Sequence, residues 1–323
     1  MRLLRSDPDF ATALARAARD LGEHAAFVEK DYWVTQVLRV LAATQGAGVL
    51  LKGGTSLSKG YRIIDRFSED VDILLVREAG QSAASVERRL QAVTETVAGT
   101  LALPWEPMRE PGRGIRASRG DWIRYPAVPN RAKGLPITAD AVLLETRVGE
   151  GHEPSEMVEV APIIARWQAV ASEGYDDLVP FRLRVLEPRR TLIEKLAAVH
   201  STVEAWTPGR EGADQARFGR HYYDVFRLLG HAPTLAALAD RHAFDRILAE
   251  VERISSEQYH GFAPRPGGGF AMTAAFAPPR DGDLRAWLEA SYGLSLRLVP
   301  GDGSGLPTFG AVLKRVAEYR DLL

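Results

Sequence analysis

The chain has 323 residues, 46% of them hydrophobic and 26% charged, with a formal net charge of −1. That composition allows one large core or two ordinary ones, excludes wholesale disorder, and leaves any nucleic-acid surface to a local patch. There is no cysteine, so disulfides and thiolate metal sites are excluded. No apolar run reaches membrane-spanning length, and the start of the chain holds Asp7 and Asp9 without an apolar core, so the expectation is a cytoplasmic protein lacking a signal peptide.

Residues 9–21 have helical periodicity, with Ala11, Leu14, Ala15 and Ala18 available to a core. A second helix is expected over 27–41, with Val28, Trp33, Val37, Leu38 and Leu41 on one side. Its Glu29, Lys30 and Asp31 read as a solvated helix start. Val49, Leu50 and Leu51 form a short apolar run suited to a buried strand. Gly53 and Gly54 follow and permit a tight turn. Thr55 and Ser56 are expected to cap a helix over 57–61. Free N–H groups and a positive dipole end at such a turn suit a phosphate.

Asp70 and Asp72 come next and lead into the apolar run 73–76. In a strand both carboxylates point to one face. Their mutual repulsion is relieved by a divalent cation, and hard oxygen ligands suit Mg²⁺. Either pattern alone reads equally as a plain turn or a solvated strand start. Together they describe metal-assisted phosphoryl or nucleotidyl transfer.

Residues 82–101 read as a helix with Val86, Leu90, Val93 and Val97 as its stripe, and a strand-rich region follows from Trp105 to about Val148. Within 109–133, Arg109, Arg113, Arg116, Arg119, Arg124, Arg131 and Lys133 stand against Glu110 and Asp121, a local net of +5 interleaved with Trp122 and Tyr125. This suits single-stranded nucleic acid, and suits an exposed arginine-rich hairpin equally well. Glu145 interrupts an apolar strand over 141–148, where an unpaired buried carboxylate is costly. Glu159, in the apolar stretch 157–161, is its competitor as a third carboxylate.

Pro188 opens a helix over 189–203, with Leu192, Leu196, Val199 and Val203 as its stripe and Lys195 at the flank, neither solvated nor buried. The expected lobes are therefore 1–188 and 189–323. A helix over 213–229 carries Phe218, Tyr222, Val225 and Leu229 inward, with Arg217, Arg220, Asp224 and Arg227 as a charged stripe. No histidine pair has zinc-ligand spacing. Further helices are expected over 235–255, 284–292 and 309–322.

The segments Lys52-Gly53-Gly54-Thr55-Ser56-Leu57-Ser58-Lys59 and Arg66-Phe67-Ser68-Glu69-Asp70-Val71-Asp72 resemble the first motif of the AbiEii/AbiGii toxin family of polymerase-β-like nucleotidyltransferases, which includes the MenT toxins. Glu29-Lys30-Asp31-Tyr32-Trp33 resembles its N-terminal signature and brings Lys30 toward the site. Glu145-Thr146-Arg147 with Gly151-His152-Glu153-Pro154, Thr191 to Leu196, and Arg220 to Asp224 resemble its later motifs. The resemblance implies a bilobed α/β (α+β) fold, with a mixed-sheet N-terminal lobe and a mainly helical C-terminal lobe. It implies transfer of an NMP from an NTP to an acceptor hydroxyl, the tRNA 3′ end, by a toxin countered by an antitoxin. Asp70, Asp72 and Glu145 would hold two Mg²⁺ ions. Gly54, Thr55, Ser56 and Lys52 would bind the nucleotide, Lys195 would neutralise phosphate charge, and Asp224 would orient Lys195 or the nucleotide. The tRNA would be met through residues 109–133. Ser68, two residues before Asp70, is either a control point open to modification or a hydrogen-bond partner of the turn. A small-molecule nucleotidyltransferase and a non-catalytic nucleotide- or RNA-binding module are the alternatives.

Overall fold

The computed structural model describes residues 2–68, 70–108, 117–128, 138, 140–171, 173–209, 215–259, 261–300 and 305–323. The chain divides into two compact units, one formed by Met1–Arg62 with Phe67–Leu186 and the other by Ile63–Arg66 with Glu187–Leu323. The described residues hold seven strands and eleven helices.

The first unit is a mixed sheet with helices. In chain order it contains α1 (Phe10–Leu21), α2 (Ala25–Gln45), β1 (Val49–Lys52), α3 (Gly53–Thr55), β2 (Asp70–Val76), α4 (Ala83–Leu101), β3 (Trp105–Pro107), β4 (Ser118–Arg124), β5 (Ala141–Gly149), β6 (Ser155–Val160), α5 (Gln168–Ala171) and β7 (Phe181–Leu186). The strands lie in the order β3-β4-β5-β2-β1-β7-β6. β2 runs parallel to β5 and antiparallel to β1, and β1 is parallel to β7. The near-continuous apolar runs of β1, β2 and β5 follow from this central placement, because strands covered on both faces have no solvent side. Val71, Ile73 and Leu75 pack with Val142 and Leu144 in the core that α2 and α4 cover. Alternation sends Asp70, Asp72 and Leu74 to the opposite face, where Leu74 meets Leu50 and Leu186 in a small separate cluster.

Three local expectations are corrected. The helix after β1 begins at Gly53, so Thr55 and Ser56 lie inside it rather than capping it, and it continues as a π turn over Ser56–Gly60. Glu29, Lys30 and Asp31 are not a solvated helix start, for they are 2%, 0% and 4% exposed. α2 is covered on nearly all sides, so even its charged residues are buried and must be paired. The single helix expected over 235–255 is two, since the Asp240 carboxylate accepts from the Ala243 N–H at 3.0 Å and starts a new helix there.

The second unit is helical: α6 (Pro188–Glu204), α7 (Gln215–Leu228), α8 (Ala232–Leu238), α9 (Arg241–Gln258), α10 (Asp283–Ser295) and α11 (Phe309–Glu318). α7 packs against α6, α10 and α11. Gly219 allows its approach to α10, because a Cβ there would lie 1.9 Å from the Ser291 carbonyl oxygen. Tyr222 is buried and donates to the Ala275 carbonyl at 2.8 Å. Among the described residues, no helix is long and apolar enough to cross a membrane.

Candidate active site

In the first unit, the Gly-Gly turn is fitted to the carboxylate strand. Gly53 sits at φ +69°, and a Cβ on it would stand 2.1 Å from Asp72 Oδ2. The left-handed backbone favours glycine, and a Cβ there would push aside the end of the Asp72 side chain. The Thr55 hydroxyl donates to the Asp70 carbonyl and lies 3.0 Å from Ser68 Oγ. Ser68 is thus a buried partner of the turn, 9% exposed. Ser56 Oγ donates to the Gly53 carbonyl at 2.7 Å, so its proton closes the turn on itself. Gly54 is buried beside it.

The register places the candidate metal ligands in a row. Lys52 of β1 faces Asp72 of β2, Asp72 faces Glu145 of β5, and Glu145 faces Gly120 of β4. Asp70 lies two residues from Asp72 on the same face and is 3% exposed. Glu159 lies on the edge strand β6, exposed and opposite Arg182, with β1 and β7 between it and β2. The geometry therefore brings Glu145, not Glu159, beside the aspartate pair. Asp70, Asp72 and Glu145 fit a hard cation by donor chemistry, shared face and adjacent register, although among the described residues no three carboxylate or imidazole side chains converge closely enough to enclose one.

A buried ion pair anchors the turn from behind. Lys59, at the end of the π turn, meets Asp31 Oδ1 at 2.7 Å and donates to the Ala161 carbonyl at 2.9 Å. Asp31 Oδ2 accepts from the Ile163 N–H at 2.7 Å. Burial lowers the Lys59 pKa, and Asp31 opposes that shift. The neighbouring Lys30 donates to the Thr138 carbonyl at 2.8 Å, and Glu29 accepts from the Val128 N–H at 3.0 Å. Sequence reasoning missed these roles. The available signal was a run of three charges flanked by Phe27-Val28 and Tyr32-Trp33, a pattern in which a charge has little access to water.

In the second unit, the Asp224 carboxylate is gripped by two cations. Arg66 Nε donates to Oδ1 at 2.6 Å and Arg66 Nη2 to Oδ2 at 2.7 Å. Lys195 Nζ stands 2.7 Å from the same Oδ2. The side chains of Arg66, Asp224 and Lys195 are 1%, 0% and 7% exposed. Lys195 is thus buried, not the flank residue that its helix position suggested, because α7 packs over that side of α6. Burial pushes the Asp224 carboxyl up, but the pairs with Arg66 and Lys195 prevail and hold it well below the usual carboxylate range. Burial lowers the Lys195 pKa, Asp224 raises it, and Arg66 and Arg220 lower it. His221 is neutral, its pKa driven down by burial and by Lys195 and Arg220. Arg227 pairs with Asp65 and also donates to the Tyr223 hydroxyl of its own helix at 3.3 Å. Asp224 was readable as a site residue, whereas Arg66 as its partner was not.

Of the basic segment 109–133, Arg119 and Arg124 are described. Arg119 meets Asp121 at 2.6 Å and lies over the Trp105 ring. Arg124 bridges Glu106 and Asp140 at 2.5 and 2.9 Å. Arg109, Arg113, Arg116, Arg131 and Lys133 lie outside the described residues.

A mixed sheet that carries a glycine turn against paired strand aspartates has the donor groups that nucleotide transfer uses. A family described as nucleotidyl transferase AbiEii toxin, type IV toxin–antitoxin system, matches residues 37–296. That is more than half of the chain, which therefore belongs to the AbiEii nucleotidyltransferase toxin family. No curated protein matches it significantly. Among solved structures the chain is similar to MenT4, a nucleotidyltransferase toxin from Mycobacterium tuberculosis H37Rv, at 17% identity and a TM-score of 0.45, over 95% of this chain and 96% of that one.

Proposed function

We propose that this toxin transfers an NMP from an NTP to the 3′-terminal hydroxyl of tRNA, releasing pyrophosphate, and that it works in the cytoplasm opposite a cognate antitoxin. The observation that carries the reading is the seating of the Gly53 turn against Asp72, with Asp70 and Glu145 on the same face. Asp70, Asp72 and Glu145 would hold two Mg²⁺ ions, which supply charge neutralisation at the phosphates and a lowered pKa at the attacking hydroxyl.

The chain's own groups do the rest. Gly53 brings backbone close to the carboxylates, and the N–H groups from Gly54 onward, at the start of a helical turn, receive phosphate oxygens. Thr55 and Ser56 serve by shaping this turn, since their hydroxyls bond to the Asp70 and Gly53 carbonyls. Lys52, next to Asp72 in the row, adds positive charge on the phosphate side. Lys195 neutralises charge that develops on the nucleotide phosphates, and Asp224 orients it. Acceptor contact is assigned to the basic residues of 109–133.

Incubation of the purified protein with total tRNA, Mg²⁺ and each labelled NTP in turn tests this reading. Label should enter tRNA from one or a few NTPs, and not when the Asp72→Ala protein is used. Label entering a small-molecule acceptor but never tRNA would move the protein to a different substrate class.

A further inference from the structure

We propose that Asp31 is a positioning residue for the phosphate-binding turn: through Lys59 it ties the far end of the turn to α2, and so sets where the N–H groups from Gly54 onward meet a triphosphate. The inference rests on the nucleotidyl-transfer reading and deepens it. The start of the turn is fixed by the carboxylate strand, where Gly53 lies against Asp72 and the Thr55 hydroxyl donates to the Asp70 carbonyl. The chain then widens into the π turn over Ser56–Gly60, closed by the Tyr61 N–H on the Ser56 carbonyl at 3.1 Å. Turns of this width are rare, so whatever holds the far end also sets the path of the N–H groups before it.

That hold comes from α2. One oxygen of the Asp31 carboxylate meets the Lys59 ammonium at 2.7 Å, and the other accepts from the Ile163 N–H at 2.7 Å. Lys59 also donates to the Ala161 carbonyl at 2.9 Å. One buried carboxylate thus joins α2, the end of the turn and the chain that leaves β6. The next residue, Gly60, is seated on β7, since a Cβ there would stand 3.1 Å from Val185 Cγ1. One helical turn before Asp31, Phe27 stacks on Phe67 with ring centroids 4.8 Å apart. Phe67 comes three residues before Asp70. The same stretch of α2 therefore steadies both the end of the turn and the approach to the carboxylate strand. Lys59 is buried and bonded to two acceptors, so its part is to hold the turn rather than to meet the phosphate.

Stability alone gives little reason for this pair. Desolvation of two buried charges offsets their attraction, and an apolar pair of similar size often serves a fold as well. What an apolar pair lacks is direction, because only the carboxylate fixes Lys59 and Ile163 at set distances on its two sides.

The test compares the full-length protein with Asp31→Leu/Lys59→Met, which removes both charges together and leaves neither buried alone. Its melting temperature should stay close to that of the parent. Its kcat for transfer from NTP to tRNA should fall by about a hundredfold, the scale of an ångström-sized misplacement. Calorimetry with Mg²⁺ and tripolyphosphate should show binding weaker by about tenfold, the scale of one hydrogen bond to a charged group. A merely structural pair would leave that affinity unmoved at an unchanged melting temperature. Asp31→Asn keeps one acceptor for two donors and should fall between the parent and the double variant in both readings. Measured below its own melting temperature, it also serves if the double variant does not fold.

Parental tripolyphosphate affinity or parental kcat in a folded double variant would overturn the proposal. Failure of the underlying reading looks different. In that case the folded Asp72→Ala protein would transfer as well as the parent, whatever the Asp31 series showed.

Discussion

The turn around Asp72 and the cluster around Asp224 each set carboxylates among buried neighbours, and they are built in opposite ways. The first is local. Gly53, Thr55, Asp70 and Asp72 fall within one short stretch, and one glycine without a Cβ brings the turn against the Asp72 carboxylate. The second is assembled over 158 residues, from Arg66 to Asp224. In the local site, two acids share one face of a strand. In the assembled one, two cations meet a single carboxylate. A pair of acids on one face calls for a cation, whereas the Asp224 carboxylate already has two cationic partners, so the two regions balance their charges in different ways.

The largest expected effect lies in the local site. Asp72→Ala should lower transfer by at least about a thousandfold, the scale of losing a group that acts only in the transition state. It should leave the melting temperature nearly unchanged, because Asp72 is partly exposed at a sheet face. Substantial transfer by a folded Asp72→Ala protein would break the assignment of the row to catalysis.

Next comes Lys195→Ala in the assembled site, with a loss of about a hundredfold in kcat, comparable to removing one transition-state hydrogen-bond donor. Asp224 remains held by Arg66, so the fold should survive. An unchanged kcat at saturating nucleotide would show that the second cluster is structural.

Gly53→Ala then separates position from stability. The left-handed backbone costs the folded state about 1–2 kcal/mol. The new Cβ would meet the free end of the Asp72 side chain, which can rotate away. Activity should therefore fall further than stability, by about tenfold for each 1.4 kcal/mol of lost transition-state binding. Parallel kinetics and melting curves check this, and equal losses would reduce Gly53 to a turn residue.

Acid titration probes the assembled site when the parent is compared with a variant of Asp224. The Asp224 carboxyl is held below its unfolded value, so its contribution is complete above the ordinary aspartate range near about pH 4. It is lost as pH falls through the depressed value in the folded state. Asp224→Asn should therefore flatten the decline of stability below about pH 4, as followed by urea unfolding across pH. A parental slope would mean that other carboxylates carry the acid sensitivity.

The smallest effect concerns the basic segment. Arg113→Ala and Arg116→Ala should each reduce the salt dependence of tRNA binding by about one counterion and leave NTP affinity alone. Identical slopes would return that segment to an exposed hairpin.

By itself the sequence determined the elements whose signals are contiguous. The turn, the strand of Asp70 and Asp72, the helix opened by Pro188 and the acidic residue within β5 each follow from neighbours a few positions away, through glycine freedom, strand alternation and proline geometry. Tertiary structure decided which of those acids stand together. Glu145 lies beside Asp72 because β5 is the parallel neighbour of β2, while Glu159 is carried to an edge strand, and both begin as a single acid in an apolar run. Tertiary structure also decided the state of the charges. Asp31 and Lys59 pair across a sequence gap of 28 residues, and Arg66 reaches Asp224 across 158. Periodicity reports which side of a helix is apolar, but not whether its polar side will be covered. When it is, the cost of burying a charge selects a partner from anywhere in the chain.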